Sequence, residues 1–134
     1  MKNARQRSLS RGKGKFLLDW DEYIYYINRL IKKIKQSKSK FDCVYGIPRG
    51  GLFPATIISH QLGIEFVEIL NCRLCNNMLI VDDICDTGET INSLNFDKTK
   101  CKLATIFKHK DSPIEPDFYA KMNTKWVVFP YEKG

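Results

Sequence analysis

The apolar run Met78–Val81 constrains the fold most, because it is uninterrupted and stops at two adjacent carboxylates, Asp82 and Asp83. A short apolar run without alternation is typical of a strand that is buried on both faces, as in a parallel sheet. Open α/β sheets bind their ligands outside the carboxyl ends of such strands. We therefore expect the two acids to lie at the ligand-binding edge of a parallel sheet.

Strands and helices alternate along the rest of the chain. Apolar residues at three- and four-residue steps predict a helix from Trp20 to Ile34, which Asp19 and Glu22 begin with a capping box. A second helix is predicted over Leu52–Leu62, with Gly63 just beyond its end. Strands are predicted at 41–45, 65–70, 78–81, 102–107 and 126–129, and a short helix at 89–94. This order predicts an α/β protein with a parallel sheet of about five strands flanked by helices.

Length and charge indicate one domain with a basic extension. The 134 residues suit a single domain over 16–134, and residues 1–15 are predicted to form a flexible basic arm. The net charge is +9 in residues 1–40 and −2 in residues 41–134. A basic arm can contact nucleic acid, but a solvated tail before a lysine-rich helix face is the simpler interpretation. No apolar run reaches the about 18 residues of a membrane helix, and no apolar leader is present, so we expect a cytoplasmic protein.

The five cysteines are an odd number in a chain without an export signal, which predicts reduced thiols rather than a disulfide framework. Cys72 and Cys75 form one half of a zinc or redox pattern. Further ligands at a familiar spacing are missing, so a metal site at this pair is not predicted.

The loop after the twin acids combines features for a phosphate and for hydroxyl groups. Thr87, Gly88 and Thr90 precede the predicted helix, where backbone N–H groups, the helix dipole and two hydroxyls suit a phosphate. Carboxylates repel phosphate, so Asp82 and Asp83 are expected to face hydroxyls or a metal ion. A sugar phosphate with a free diol, bound with a divalent cation, meets both requirements, and a phosphoribosyl group has this shape. The alternative, a solvated loop, is disfavoured by the strand before it and the helix after it.

A second candidate anion site follows the first predicted strand of the sheet. The loop Gly46–Gly51 opens a helix, so its amides can bind an anion, and Arg49 adds a cation with bidentate geometry. Taken alone, this segment is equally well explained as a glycine-rich turn. Together, the two loops would hold the two phosphate ends of one ligand.

The segment Leu79–Thr90 resembles the motif that binds 5-phosphoribosyl 1-pyrophosphate (PRPP) in type I phosphoribosyltransferases: a hydrophobic strand, then Asp-Asp-x-x-Asp-Thr-Gly-x-Thr. The resemblance extends over about residues 20–132 and implies a small C-terminal hood and a dimer or tetramer. It implies that Asp82 and Asp83 hold the ribose hydroxyls and Mg²⁺, and that Asp86 exchanges a proton with the base. The implied PRPP-binding residues are Asp82, Asp83, Asp86, Thr87, Gly88, Glu89, Thr90, Arg49, Gly50 and Gly51.

The C-terminal part resembles the xanthine/guanine/hypoxanthine branch of this family. Trp126 matches the aromatic residue that stacks on the purine, and Val127 matches the residue whose backbone contacts the ring edge. A core position for Trp126 is the alternative. The family usually has a lysine where this chain has His109, so either Lys108 or Lys110 substitutes for it, His109 contacts the base, or the base specificity differs.

The resemblance implies transfer of a phosphoribosyl group from PRPP to hypoxanthine, guanine or xanthine, with Mg²⁺ as cofactor and with Asp86 and Arg49 as catalytic residues. The alternative is a PRPP- or nucleotide-sensing regulator that binds nucleic acid through the basic N-terminal segment. The segment Asn71–Asn77 is shorter than the closing loop of the family. We expect this short segment to leave the site more open to water.

Overall fold

The computed structural model describes residues 14–70, 75–86, 88–89, 94 and 97–132. The predicted arm lies outside these residues as far as residue 13, and so does most of the predicted helix 89–94. No helix of the described part is long and apolar enough to cross a membrane. The elements are β1 (Lys15–Leu17), α1 (Trp20–Gln36), β2 (Cys43–Gly46), α2 (Leu52–Leu62), β3 (Glu65–Val67), β4 (Met78–Cys85), β5 (Cys101–His109), β6 (Phe118–Asn123) and β7 (Trp126–Val128).

The main sheet has five parallel strands in the order β3-β2-β4-β5-β6, which confirms the predicted fold class. From β2 the chain proceeds outward to β3 and then returns to β4 on the other side of β2. The direction of winding thus reverses between β2 and β4. In open α/β sheets such a reversal leaves a crevice outside the carboxyl ends of the two strands, which is the usual place for a ligand.

Strand β4 is longer than predicted. The sequence indicated an end at Val81, but pairing with β5 continues through Asp82 opposite Thr105 to Cys85 opposite Lys108. Pairing with β2 ends earlier, at Gly46 opposite Val81. The twin acids therefore lie within β4, on a stretch that has a neighbour on one side only and is open towards the loop that follows β2.

A second, two-stranded parallel sheet pairs β1 with β7. The predicted small hood was assigned to the C-terminus, but the N-terminal strand contributes half of this sheet. Lys15, opposite Trp126, thus belongs to a strand rather than to the predicted arm. Strand β6 was not predicted, because its burial follows no two-residue alternation that would mark a strand in the sequence.

The hydrophobic core lies between the main sheet and both helices. Asp19 and Glu22 form the predicted capping box of α1, and Gly63 ends α2 with a φ of 66°. Both helices share one cluster of buried side chains with the sheet, and this cluster includes Tyr23, Ile27, Leu30, Ile58, Leu79, Val81, Ile106 and Phe107. Burial of each large apolar side chain stabilises the fold by roughly 2 kcal/mol.

The prediction that all thiols are reduced is wrong. Cys43 and Cys75 form a disulfide, and Cys85 and Cys101 are buried. Cys43 lies opposite Met78 in the sheet, so Cys75, three residues before Met78, comes within 6.3 Å of it, Cα to Cα. The parity of the cysteine count does not reveal such a pair, because the proximity arises from sheet register. Cys72 lies outside the described residues.

Candidate functional site

The first loop of the site, Ile47–Gly51, is anchored to β4. The Ile47 N–H donates to the Val81 carbonyl at 2.8 Å, and the peptide bond between Pro48 and Arg49 is cis. The amides of Arg49 and Gly50 have no hydrogen-bond partner in the described part of the chain. These two N–H groups, together with the Arg49 side chain, are therefore available to an anion.

Gly51 has a different role from the one predicted. Its N–H donates to the Ile47 carbonyl at 2.8 Å, so this amide is occupied and does not serve an anion. A Cβ atom at this position would overlap the Val81 carbonyl oxygen and the backbone of Ile47. Gly51 therefore allows the loop to pack closely on β4.

The twin acids differ in their surroundings. Asp82 is 8% exposed, and its Oδ1 accepts the Asp83 N–H at 2.8 Å. Asp83 is half-buried, and its carboxylate lies against Gly50, where any Cβ atom would overlap it. The first loop and the twin acids are thus in direct contact, although more than thirty residues separate them in the sequence.

Three adjacent cavities, of about 870, 330 and 280 Å³, share the Asp83 side chain in their walls. Arg49 and Gly50 line the largest. Both predicted motifs line the 330 Å³ cavity, which contacts Pro48, Gly50, Asp82, Asp83, Asp86, Gly88 and Glu89. Gly88 has a φ of 79°, a backbone conformation that favours glycine. Thr87 and Thr90, the predicted phosphate-binding hydroxyls, lie outside the described residues.

The 280 Å³ cavity is the candidate base pocket, and Asp86, His109, Trp126 and Val127 line it. The Trp126 side chain is 64% exposed, which excludes the alternative that it belongs to the core. Its ring is available to stack on a planar ligand.

The neighbouring lysines do not reach this pocket. Lys108 is buried and forms an ion pair with Glu115 at 3.1 Å, and Lys110 is exposed beyond the end of β5. The prediction that either lysine takes the place of the family's lysine is therefore corrected. Consecutive residues of a strand point to opposite faces, so His109 and Lys108 cannot both face the pocket.

Tyr131 and Asn123 were not among the predicted site residues. The Tyr131 hydroxyl donates to Asp83 Oδ2 at 2.8 Å, and Asn123 lines the base pocket. Tyr131 follows Trp126 by five residues, and no local pattern connects it to a carboxylate on β4. A search for polar residues near the predicted stacking tryptophan would have found both.

No protein-family model matches the chain. A purine phosphoribosyltransferase from Pyrococcus horikoshii Ot3 is 28% identical and superposes with a TM-score of 0.76, over 91% of this chain and 96% of that chain. A xanthine-guanine-hypoxanthine phosphoribosyltransferase from Helicobacter pylori is 16% identical, with a TM-score of 0.72 over 86% and 91% of the two chains. The chain has the type I phosphoribosyltransferase fold. The resemblance to the purine branch is thereby confirmed.

A further match carries a nucleotide. A hypothetical protein from Neisseria gonorrhoeae with bound ppGpp is 20% identical, with a TM-score of 0.69 over 92% of each chain. At this identity the match concerns the fold alone. The same fold therefore also occurs in a protein with bound ppGpp, so function has to be argued from the site.

The twin acids of this chain, Asp82 and Asp83, suit a hard divalent cation. Carboxylate oxygens are preferred ligands of Mg²⁺, which is usually held by one or two carboxylates together with water and substrate phosphates. Among the described residues, no group of three or more His, Cys, Asp or Glu side chains could hold a metal ion. Asp82 and Asp83 therefore fit Mg²⁺ that arrives with a phosphorylated ligand, rather than a closed protein cage.

Burial and the adjacent Asp83 carboxylate raise the pKa of Asp82 to about 8, far above its usual 3.8. Between pH 4 and pH 8, Asp82 keeps its proton in the folded protein but releases it in the unfolded chain. The free energy of unfolding therefore falls as pH rises from 4 to 8, and the fall is complete above the folded pKa.

We expect Asp82→Asn to remove this pH dependence, because an amide pays no cost of ionisation in the buried site. The variant should become more stable than the wild type at pH 8, by a few kcal/mol at most, and the difference should shrink towards pH 4. Urea denaturation from pH 4 to 8, without divalent ions, measures this difference in the free energy of unfolding. Asp42→Asn, at an exposed position, is the control. Parallel stability curves for Asp82→Asn and the wild type would contradict the assignment.

Proposed function

We propose that the protein is an enzyme that transfers the phosphoribosyl group of PRPP to a purine base, namely hypoxanthine, guanine or xanthine, and releases pyrophosphate. One observation carries the proposal: the anion-binding loop, the twin acids and the candidate base pocket meet at Asp83. Candidate sites for a diphosphate, a diol and a planar ring would thus lie side by side, which supports the proposal. The similarity to purine phosphoribosyltransferases supports the same reaction.

In the proposed reaction, a nitrogen of the base bonds to C1 of the ribose while the bond from C1 to the pyrophosphate oxygen breaks. Arg49 and the amides of Arg49 and Gly50 stabilise the negative charge on the departing pyrophosphate. Asp86, which lines both the 330 Å³ cavity and the base pocket, accepts the proton that the base loses. Trp126 stacks on the base and orients it towards C1.

Asp83 and Asp82 bind the ribose hydroxyls and would hold Mg²⁺ beside them. When bound, Mg²⁺ neutralises charge on the pyrophosphate and orients it. Burial and the Asp83 charge raise the pKa of Asp82, which favours its protonated form and allows it to donate a hydrogen bond to a ribose oxygen.

His109 contributes a hydrogen-bond donor to the base pocket. Its Nδ1 accepts the Asp111 N–H at 3.1 Å, which assigns the proton of the neutral ring to Nε2. We propose that Nε2–H donates to the 6-oxo group of the purine, the group that the family's lysine contacts.

His109→Ala is expected to lower kcat/KM for hypoxanthine by about tenfold, the loss of one net hydrogen bond, while KM for PRPP stays unchanged. Steady-state kinetics with each substrate varied in turn measure both values. His60→Ala provides a matched control, because His60 is exposed on α2, outside the three cavities. An unchanged kcat/KM in His109→Ala would exclude this role.

A panel of bases tests the proposed function. Purified protein with Mg²⁺ and PRPP is incubated with hypoxanthine, guanine, xanthine, adenine or uracil, and pyrophosphate and nucleotide are both quantified. We expect both products with one or more of the three 6-oxopurines, in equal amounts. Binding of PRPP without nucleotide formation from any of the three would contradict the proposed function.

The proposed partners are therefore small molecules, PRPP and a purine base. The dimer or tetramer that the resemblance implies stays a prediction. The alternative function as a nucleic-acid-binding regulator rests on the N-terminal arm, of which residues 1–13 lie outside the described part of the chain.

A further inference from the structure

Tyr131 connects the C-terminal segment to the end of β4. Its hydroxyl donates to Asp83 Oδ2 at 2.8 Å, across 48 residues of sequence. Both side chains line the largest of the three cavities, together with Arg49 and Gly50. A residue that neither the motif nor the proposed reaction includes thus contacts the carboxylate at the centre of the site.

The position of Tyr131 is fixed by aromatic packing. Its ring stacks on Phe129, with centroids 5.6 Å apart and an interplanar angle of 11°, and meets the edge of buried Tyr23 at 5.7 Å. A tyrosine hydroxyl carries its proton at neutral pH, so Tyr131 is the donor in this contact. The hydrogen bond is therefore in place before a ligand arrives.

Gly50 restricts the same carboxylate from another direction, because the carboxylate fills the space that a Cβ atom would take. With Oδ2 bound to Tyr131 and the group in contact with Gly50, Asp83 has little freedom to rotate. Such fixed outer contacts are what gives a ligand-binding carboxylate a defined orientation.

Tyr131 also lies next to the candidate base pocket. Phe129 and Glu132 line this pocket on either side of it in the sequence, and the Phe129 N–H donates to Glu132 Oε1 at 3.0 Å. The C-terminal segment that lines the candidate base pocket thus also contacts Asp83, the acid expected to bind the ribose.

We propose that Tyr131 is a positioning residue for PRPP binding, which orients the Asp83 carboxylate towards the ribose hydroxyl and its cation by holding Oδ2. This inference rests on the proposed function, since it assigns a ligand to Asp83. Tyr131 does not contact the reacting atoms. Its contribution is to remove the cost of ordering Asp83 when PRPP binds.

Tyr131→Phe tests the proposal, because it removes the hydroxyl and keeps the ring that stacks on Phe129. Calorimetric titration with PRPP and Mg²⁺ should give a Kd about tenfold above that of the wild type. KM for the base and the thermal midpoint should stay unchanged because the ring and its packing are retained, whereas a purely structural role for the ring would leave the Kd for PRPP at its wild-type value. Tyr25→Phe, at an exposed position of α1, is the control and should bind PRPP like the wild type.

The possible outcomes distinguish a failure of the Tyr131 role from a failure of the proposed function. If the wild type binds PRPP and Tyr131→Phe binds it equally well or more tightly, the positioning role is wrong and the proposed function stands. If KM for the base rises as much as the Kd for PRPP, Tyr131 supports the segment in general and the proposal is also overturned. If the wild type itself does not bind PRPP, the proposed function fails and this proposal fails with it.

Discussion

Asp83→Asn is expected to reduce phosphoribosyl transfer by at least about a hundredfold while the protein stays folded. The substitution removes the charge that would bind the ribose hydroxyls and Mg²⁺ at the point where the three cavities meet. It preserves the shape of the side chain and an oxygen that can accept the Tyr131 hydrogen bond. The loss should therefore appear in turnover and in PRPP binding rather than in stability.

Initial rates with saturating hypoxanthine and PRPP, together with a thermal melt, measure both effects. Asp42→Asn is the matched control, since it makes the same chemical change at an exposed position before β2. The control should retain wild-type turnover. An Asp83→Asn variant with more than half of wild-type activity would show that this carboxylate is not part of the site.

Gly51→Ala is expected to destabilise the fold by roughly 3 kcal/mol or more. The added Cβ atom would overlap the Val81 carbonyl and the Ile47 backbone, and backbone atoms cannot rotate away as a side chain can. Relief of the overlap requires the loop to leave β4, which breaks the hydrogen bond from Ile47 to Val81. Urea denaturation measures the change in the free energy of unfolding.

Gly63→Ala is the matched control for this loss. Gly63 has a φ of 66°, but a Cβ atom there would meet nothing within 4 Å. The expected cost is about 1 kcal/mol, the conformational preference of glycine alone. If Gly51→Ala lowers the free energy of unfolding no more than Gly63→Ala does, Gly51 is not required for the close packing of the first loop on β4.

Features that depend on neighbouring residues in the sequence were predicted correctly. The capping box of α1 and the glycine after α2 are encoded within a few residues, and both are present. The apolar run before Asp82 predicted a buried parallel strand, and β4 is one. The contact between Gly50 and Asp83 follows from this topology, because parallel strands bring the loops at their carboxyl ends together.

Features that depend on register or on distant packing were not predicted. The disulfide between Cys43 and Cys75 arises from the pairing of β2 with β4, which no local pattern specifies. The partner of Lys108 is a glutamate in a loop, so the face to which this lysine points was not evident. The contact of Tyr131 with Asp83 likewise requires the folded C-terminal segment.

Titration of the purified protein with PRPP, in the presence and absence of Mg²⁺, tests most directly whether the two loops and the twin acids form one site. We expect one PRPP per chain, bound more tightly with Mg²⁺ than without it, displaced by pyrophosphate, and weakened in Asp83→Asn but not in Asp42→Asn. A wild-type protein that does not bind PRPP, or that binds it equally well after Asp83→Asn, would contradict the account.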